Sequence, residues 1–383
     1  MTEAVQIEDA TIDDVTCDDV TIDDVTIVGA GPAGLAVARE LGRLGVRAPL
    51  LERGRVGETW SRQYAGMHLH TRTEMASLPG LAWRGTRTPF PSAVEMTEYL
   101  RTYARYFALD VREGVHVEAT AHEGGIWRLA TSAGEHLTRR LVLATGIWSA
   151  PIAPPLPGSD VFRGRLLHAA SYRDREELRG ARVLVVGLGN TGNDVALDAS
   201  SVGSPTTVSV RGGVVFVPHP GPITQHAGRL WRRLPPSVAD ALLRRLRHEP
   251  SVAGLRWPAG QLTDAFPVVG AALLAAAADA RITIRPEVVA LTEHGATFGD
   301  GSSDAFDVIV LATGYRPALD AVARHVRFDA AGRPETDDFA AVGTDGLYLV
   351  GYRYPTLETW LQQLRREAPA AARAIARHVR ERP

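Results

Sequence analysis

The sequence predicts an α/β protein built from two nucleotide-binding βαβ units, the second inserted into the first. Three observations carry this reading. Two glycine-rich turns, "IVGAGPAGLA" from Ile27 and "VVGLGNTGND" from Val185, each follow a β-branched run and open an alanine- and leucine-rich helical stretch. Proline-dense "SAPIAPPLPG" from Ser149 lies between them, as a linker would. After the second unit the chain returns to a buried strand, "DGLYLVGYRY", and a closing helix that complete the first.

Taken in order, residues 1–24 hold nine Asp and Glu, no Arg, and a five-residue repeat (TIDDV, TCDDV, TIDDV). A period of five suits neither helix nor strand, so this acidic tail is expected to be disordered. Val25 to Arg53 reads strand, glycine turn, helix, strand. A loop-rich stretch follows to about Pro91. "SAVEMTEYLRTYARYFAL" then restores a helical period, with Met96, Tyr99, Leu100, Tyr103 and Phe107 on one side. Alternation around Val115–Val117 and Trp127–Ala130 predicts a small antiparallel sheet, and "RLVLATG" a buried strand. The first, Rossmann-like domain is thus expected over 25–150 and 315–383, and the second over 151–314. A lid-like insertion is expected at 218–260, carrying an amphipathic helix with Leu242, Leu243 and Leu246 on its apolar side. "ARITIRPEVVAL" and "FDVIVLATGYRP" supply the last strands of the second unit.

Composition excludes several classes of function. Net charge is −2, so no bulk field draws nucleic acid or an anionic membrane. All 42 basic residues are arginine, which removes lysine Schiff-base chemistry. A single cysteine, Cys17, forms neither an intramolecular disulfide nor a dithiol pair nor a thiolate metal cage. No secretory signal pattern and no apolar run of about 18 residues is present, so a cytoplasmic protein without a membrane segment is expected.

The two turns differ where chemistry is decided. Gly29, Gly31 and Gly34 permit a tight turn and close approach of backbone to a pyrophosphate, and Glu52, at the end of the next strand, suits the hydroxyls of a ribose diol. Gly187, Gly189 and Gly192 repeat the arrangement, but Arg211 stands near the equivalent strand end. A guanidinium suits a 2′-phosphate that a carboxylate would repel. The first site therefore favours FAD or NAD and the second NADP. Two nucleotides in one chain let a hydride pass from a soluble carrier to a resident one, and NADPH with FAD is the natural pair. Two Ala-Thr-Gly turns, 144–146 and 312–314, end strands where the chain crosses between the units.

Between the turns lies "VFRGRLLHAASY", with Phe162, Gly164, His168 and Tyr172 in a spacing that resembles the identifying motif of the class B flavin-containing monooxygenases. "LATGY" at Leu311, "ERGRVGETW", "HLHT" and "DGLYLVGY" are similar to other segments of that family, particularly its plant auxin-forming branch and bacterial relatives. The resemblance implies that NADPH reduces FAD, that NADP⁺ stays bound, and that O₂ adds to the flavin as a C4a-(hydro)peroxide. One oxygen then passes to a small soluble substrate, at an amine nitrogen, a sulfur or a keto-acid carbonyl. It further implies that Gly29, Gly31, Pro32, Ala33, Gly34, Glu52, Arg53, Thr59, Trp60, Ala144, Thr145 and Gly146 hold FAD. His168, Gly187, Gly189, Asn190, Thr191, Gly192, Arg211, Ala312, Thr313 and Gly314 are implied at the NADP side. His70 stands where other members carry an asparagine near the flavin, and is the implied catalytic residue. Two other readings stay open: an NADPH oxidase or reductase passing electrons to a partner, and a redox-sensing flavoprotein acting through the acidic tail.

Overall fold

The computed structural model describes residues 21–86, 88–219, 221, 234–246, 250–262, 266–329, 332–353 and 359–381, less the side chains of Pro236, Leu243 and Leu246. Two parallel sheets organise it. In the first, Thr26–Val28 lies between Leu50–Glu52 and Leu141–Leu143. Val111–Glu113 extends it on one side and Leu347–Leu349 on the other, all parallel, and short antiparallel strands finish the edge. In the second, all parallel, the order is Arg165–His168, Val308–Leu311, Val183–Val186, Thr206–Ser209, Ile282–Arg285. Every strand of the second sheet falls in sequence between two strands of the first, so the nesting expected from motif order is the observed topology.

Each unit rests on a helix that begins at its glycine turn. Pro32–Arg43 starts with proline at its first position, where a missing N–H costs nothing and φ is already helical. Its apolar face, with Leu35, Val37 and Leu41 fully buried, packs on the closing helix Trp360–Glu381 through Ala368, Ala371, Ala372 and Ile375. Burying one such leucine stabilises the fold by about 2 kcal/mol. Asn190–Ser201 does the same for the second sheet through Val195, Ala196 and Ala199 against Val183, Val185 and Val208. The predicted helix over the aromatic stretch is Ala93–Tyr106. A Ser92–Glu95 capping box starts it: the Ser92 hydroxyl accepts from the Glu95 N–H, and the Glu95 carboxylate accepts from the Ser92 N–H at 2.8 Å.

The small antiparallel sheet forms from Val117–Glu123, Ile126–Thr131 and Gly134–Thr138 around the fully buried Trp127. The end of the expected acidic tail belongs to it, which corrects the expectation of disorder for residues 21–24. Ile22–Asp23 pairs with Leu137 and Thr138, and Asp23 lies 3.3 Å from the His136 ring. Ile22 and Asp23 are half-buried there, and the carboxylates of Asp23 and Asp24 meet His136 and Arg139, so the charge that suggested a solvated tail is partly compensated. Residues 1–20 of the tail lie outside the described residues.

The insertion grows from a two-residue parallel pair, Phe216–Val217 with Val268–Val269. Its helix, Pro236–Leu246, is present as predicted; Leu242 is half-buried and Ala239 buried, while the expectations for Leu243 and Leu246 fall outside the described side chains. No helix among the described residues is long and apolar enough to cross a membrane.

Candidate functional site

The two glycine turns are built alike, and the structure shows why each glycine is needed. Gly29 and Gly187 both sit at positive φ, near +100°. A Cβ on Gly29 would come within 2.7 Å of the Ala144 carbonyl oxygen, and one on Gly187 within 2.7 Å of that of Ala312. The two Ala-Thr-Gly turns therefore have a definite place: each presses its first carbonyl under the first glycine of its own unit. Gly34 and Gly192 are excluded from carrying a side chain for another reason, since a Cβ would overlap the carbonyl oxygens of Gly29 and Gly187 respectively.

Gly31 and Gly189 differ from these. Both are helix N-caps without a side-chain cap, and a Cβ on either would meet nothing within 4 Å. The space beside each N-cap is thus open, with the positive end of the helix dipole behind it. That open cradle fits a pyrophosphate at both turns.

The strand ends separate the sites. Gly29 N–H donates to Leu51 and Gly187 N–H to Ser209, so by hydrogen-bond register Glu52 corresponds to Val210, and Arg53 to Arg211. Glu52 Oε2 accepts from the Ala30 N–H at 2.8 Å and Oε1 from the Gly54 N–H at 2.9 Å, which fixes the carboxylate at the mouth of the first turn. Each oxygen keeps a lone pair for a ribose hydroxyl. In the second unit the same place is taken by Val210, nearly buried, and the following Arg211 is exposed. The second site thus lacks the repelling carboxylate as well as carrying the guanidinium.

The linking segments meet between the units. Just past the two Ala-Thr-Gly turns, Ala150–Pro151 pairs antiparallel with Tyr315–Arg316. Thr313 Oγ1 donates to the Ile152 carbonyl, and the Ile152 N–H to that of Gly314 at 2.9 Å. Thr145 Oγ1 bonds the Tyr352 hydroxyl at 2.6 Å. Burial pushes that phenol up to about 12, so it stays a neutral donor. His168 braces this junction: Nδ1 accepts from the Ala170 N–H at 3.0 Å and Nε2–H donates to the Gly314 carbonyl at 3.2 Å. Acceptance at Nδ1 requires the neutral ring, and burial holds its pKa below the ordinary histidine range.

This gives an expected pH dependence. The unfolded chain takes up a proton at His168 near the ordinary pKa of about 6.5, which the folded ring resists. The stability it contributes is present above that pH and falls as the pH drops through it. Between pH 8 and 5.5, His168→Gln is expected to show a smaller loss of Tm than the parent, by about 1–3 °C; equal slopes would refute it.

The motif's last residue, Tyr172, is fully buried and donates to Asp198 Oδ2 at 2.8 Å. Tyr64, from the loop of the first unit, donates to Asp194 Oδ2 at 2.5 Å, and the two tyrosine rings lie 5.7 Å apart. Asp194 and Asp198 are one turn apart on Asn190–Ser201, so both units grip the same face of that helix. Burial raises both phenols and Asp198. Tyr64→Phe is expected to cost about 1–2 kcal/mol by taking the tyrosine donor from Oδ2 of the half-buried Asp194, whose Oδ1 keeps its bond from Asn193. It would be read as a lower Tm together with weaker NADP⁺ binding, whereas a loss of neither denies Tyr64 this role.

His70 is half-buried, its ring 6.2 Å from that of His219 on the root of the insertion. Burial lowers its pKa, against the opposing pull of Asp194, so the ring is neutral at neutral pH. His68 instead bonds the Gly66 carbonyl, and no group of three metal-ligating side chains gathers among the described residues. Several residues expected at the nucleotides also bond or pack against protein. Asn190, expected on the nucleotide, spends its side chain on protein: Nδ2 donates to the Pro267 carbonyl at 3.2 Å and Oδ1 accepts from the Val269 N–H at 2.8 Å. It clamps the insertion's root, whose strand pairs through its other edge with Phe216–Val217. Ala312, Thr313 and Gly314 serve the second turn and the crossover. Trp60 packs partly buried on the first core; Arg53 and Thr59 are exposed, and Thr191 is half-buried beside Gly192.

The pyridine nucleotide-disulphide oxidoreductase family matches over residues 26–225. The indole-3-pyruvate monooxygenase YUCCA1 of Oryza sativa subsp. japonica is 34% identical over 348 residues, covering 85% of each chain. The YUCCA6 enzyme of Arabidopsis thaliana, an indole-3-pyruvate monooxygenase, is 32% identical over 76% of this chain and 75% of its own. Among solved structures, a flavin-containing monooxygenase from Stenotrophomonas maltophilia superposes with a TM-score of 0.73 at 24% identity, covering 93% and 98% of the two chains. Cyclohexanone monooxygenase from Rhodococcus sp. Phi1, bound to NADP⁺, gives 0.68 at 18% identity over 95% and 85%.

The two nucleotide turns and the neutral junction between them define an FAD- and NADPH-dependent oxidoreductase. This chain belongs to the class B flavin-containing monooxygenases, and it is a monooxygenase.

Proposed function

We propose that this enzyme uses NADPH and O₂ to oxygenate the carbonyl of a small α-keto acid. The observation that carries the two-nucleotide part is the contrast at equivalent strand ends, Glu52 against Val210 and Arg211, over two otherwise matching cradles. The relatives named for indole-3-pyruvate favour the keto-acid carbonyl over an amine or sulfur. His70 supports the same choice, because it stands in the segment where amine- and sulfur-oxygenating members resemble one another in carrying asparagine.

In this reading Gly29, Gly31, Gly34, Glu52 and the 144–146 turn hold FAD, and Gly187, Gly189, Gly192 and Arg211 hold NADPH. Bound flavin supplies hydride acceptance and oxygen activation. The protein orients and insulates. His168 and the paired crossovers fix the separation of the two turns. Tyr64 and Tyr172 fix the tilt of the second helix, and His70, kept neutral by burial, offers an N–H at the junction. His70→Leu is expected to raise the fraction of consumed NADPH that ends as hydrogen peroxide by about tenfold, with His70→Gln intermediate. An unchanged fraction removes His70 from the reaction.

The test of the reading is a two-step rapid-mixing measurement. The flavin is reduced anaerobically with NADPH, mixed with oxygenated buffer, and followed by absorbance with and without phenylpyruvate. A spectral species that is neither reduced nor oxidised flavin, prolonged by NADP⁺ and shortened by the keto acid, is expected. Direct reoxidation with stoichiometric hydrogen peroxide under both conditions assigns an NADPH oxidase instead.

A further inference from the structure

Three aromatic side chains from three distant segments meet at the junction of the units, and neither nucleotide motif contains any of them. Trp148 comes from the outgoing crossover, Phe266 from the end of the insertion, and Trp360 from the start of the closing helix. The Trp148 ring lies 5.6 Å from that of Trp360 and 6.4 Å from that of Phe266, edge-on to both. Neither pair is stacked, so the trio is not a closed sandwich. Trp148 is 39% exposed and Phe266 45%, an uncommon state for two large apolar groups in mutual reach, and such surfaces mark binding sites.

Their anchors place them beside the mouths of both glycine turns. Trp148 follows Gly146 by two residues. Phe266 directly precedes Pro267, whose carbonyl is held by Asn190 at the mouth of the second turn. Trp360 donates its indole N–H to the Gly351 carbonyl at 3.1 Å, and a Cβ on Gly351 would stand 3.0 Å from Ala33 in the first turn of the first helix. Phe266 belongs to the second unit and the other two to the first. The surface therefore exists only where the two units meet, as a substrate surface must and a single-unit cofactor surface need not.

We propose that Trp148, Phe266 and Trp360 are the specificity-determining surface of this enzyme and receive a flat apolar ring carried by the substrate. The inference deepens the keto-acid reading and rests on it only for what the ring is attached to. Flat rings gain edge-to-face contact with such a trio that branched aliphatic chains of similar size do not.

The experiment titrates oxidised holoenzyme with indole, phenylpyruvate and 4-methyl-2-oxopentanoate, reading perturbation of the flavin spectrum, in parent, Trp148→Ala, Phe266→Ala and the conservative Trp148→Phe. Both alanine variants are expected to keep their FAD and to weaken indole and phenylpyruvate about tenfold, leaving the aliphatic acid within about twofold, with Trp148→Phe close to parent. Equal weakening of all three probes, or no binding of either ring by the parent, overturns the proposal. Loss of FAD from the alanine variants also overturns it, by assigning the rings to the cofactor. Indole binding that is lost in the variants, with phenylpyruvate never oxygenated, leaves the surface standing and sinks the keto-acid reading instead.

Discussion

Gly34→Ala is expected to destabilise the protein by about 3 kcal/mol and to leave it without FAD, although alanine is the better helix former by about 1 kcal/mol. The new methyl would overlap the Gly29 carbonyl oxygen, and the Ala144 carbonyl, standing where a Cβ of Gly29 would be, leaves the turn little room to yield. Gly31→Ala is expected to behave oppositely. Its φ of −77° suits any residue and its Cβ would enter open space, so the fold and Tm should survive. The methyl would stand where the pyrophosphate must approach, and FAD affinity is expected to fall roughly a hundredfold. Thermal unfolding and flavin content of the two variants measure this directly. Equal stability of both would show that the Gly29–Gly34 contact does not constrain the turn, and full FAD content in Gly31→Ala would move the cofactor elsewhere.

Arg211→Ser is expected to raise the KM for NADPH by about ten- to a hundredfold while leaving that for NADH within about twofold, the worth of one charge-assisted hydrogen bond to a phosphate. The guanidinium is exposed at the strand end, so the fold should be indifferent to its removal. Replacing the neighbouring Val210 by Glu, the residue its register equivalent carries in the first unit, should compound the change by restoring a carboxylate where the 2′-phosphate is expected. If steady-state rates with both nucleotides move together in Arg211→Ser, the 2′-phosphate is recognised by another group.

The parts of the fold legible in the sequence were those encoded locally. A β-branched run, three glycines at fixed spacing and a helical alanine–leucine period each express a short-range constraint, so both turns, their helices and the order of nesting could be read directly. The helix Ala93–Tyr106 was equally legible, since its capping box and its buried face lie within one stretch. Acidity at 21–24 misled because the groups that compensate it, His136 and Arg139, are more than 100 residues away.

The site divides in the same way. The two glycine turns proposed as nucleotide cradles, and the difference in charge beside them, were readable from the chain alone, because glycine geometry and the charge at a strand end depend on sequence neighbours. Three-dimensional packing was needed to show that Ala144 and Ala312 underlie the two turns, that the Asn190 side chain holds the root of the insertion, and that Tyr64 and Tyr172 share one helix face. It alone brought Trp148, Phe266 and Trp360 together. Those contacts join residues that no periodicity relates, and packing of two sheets against their crossovers, not any local preference of the chain, sets the distances between them.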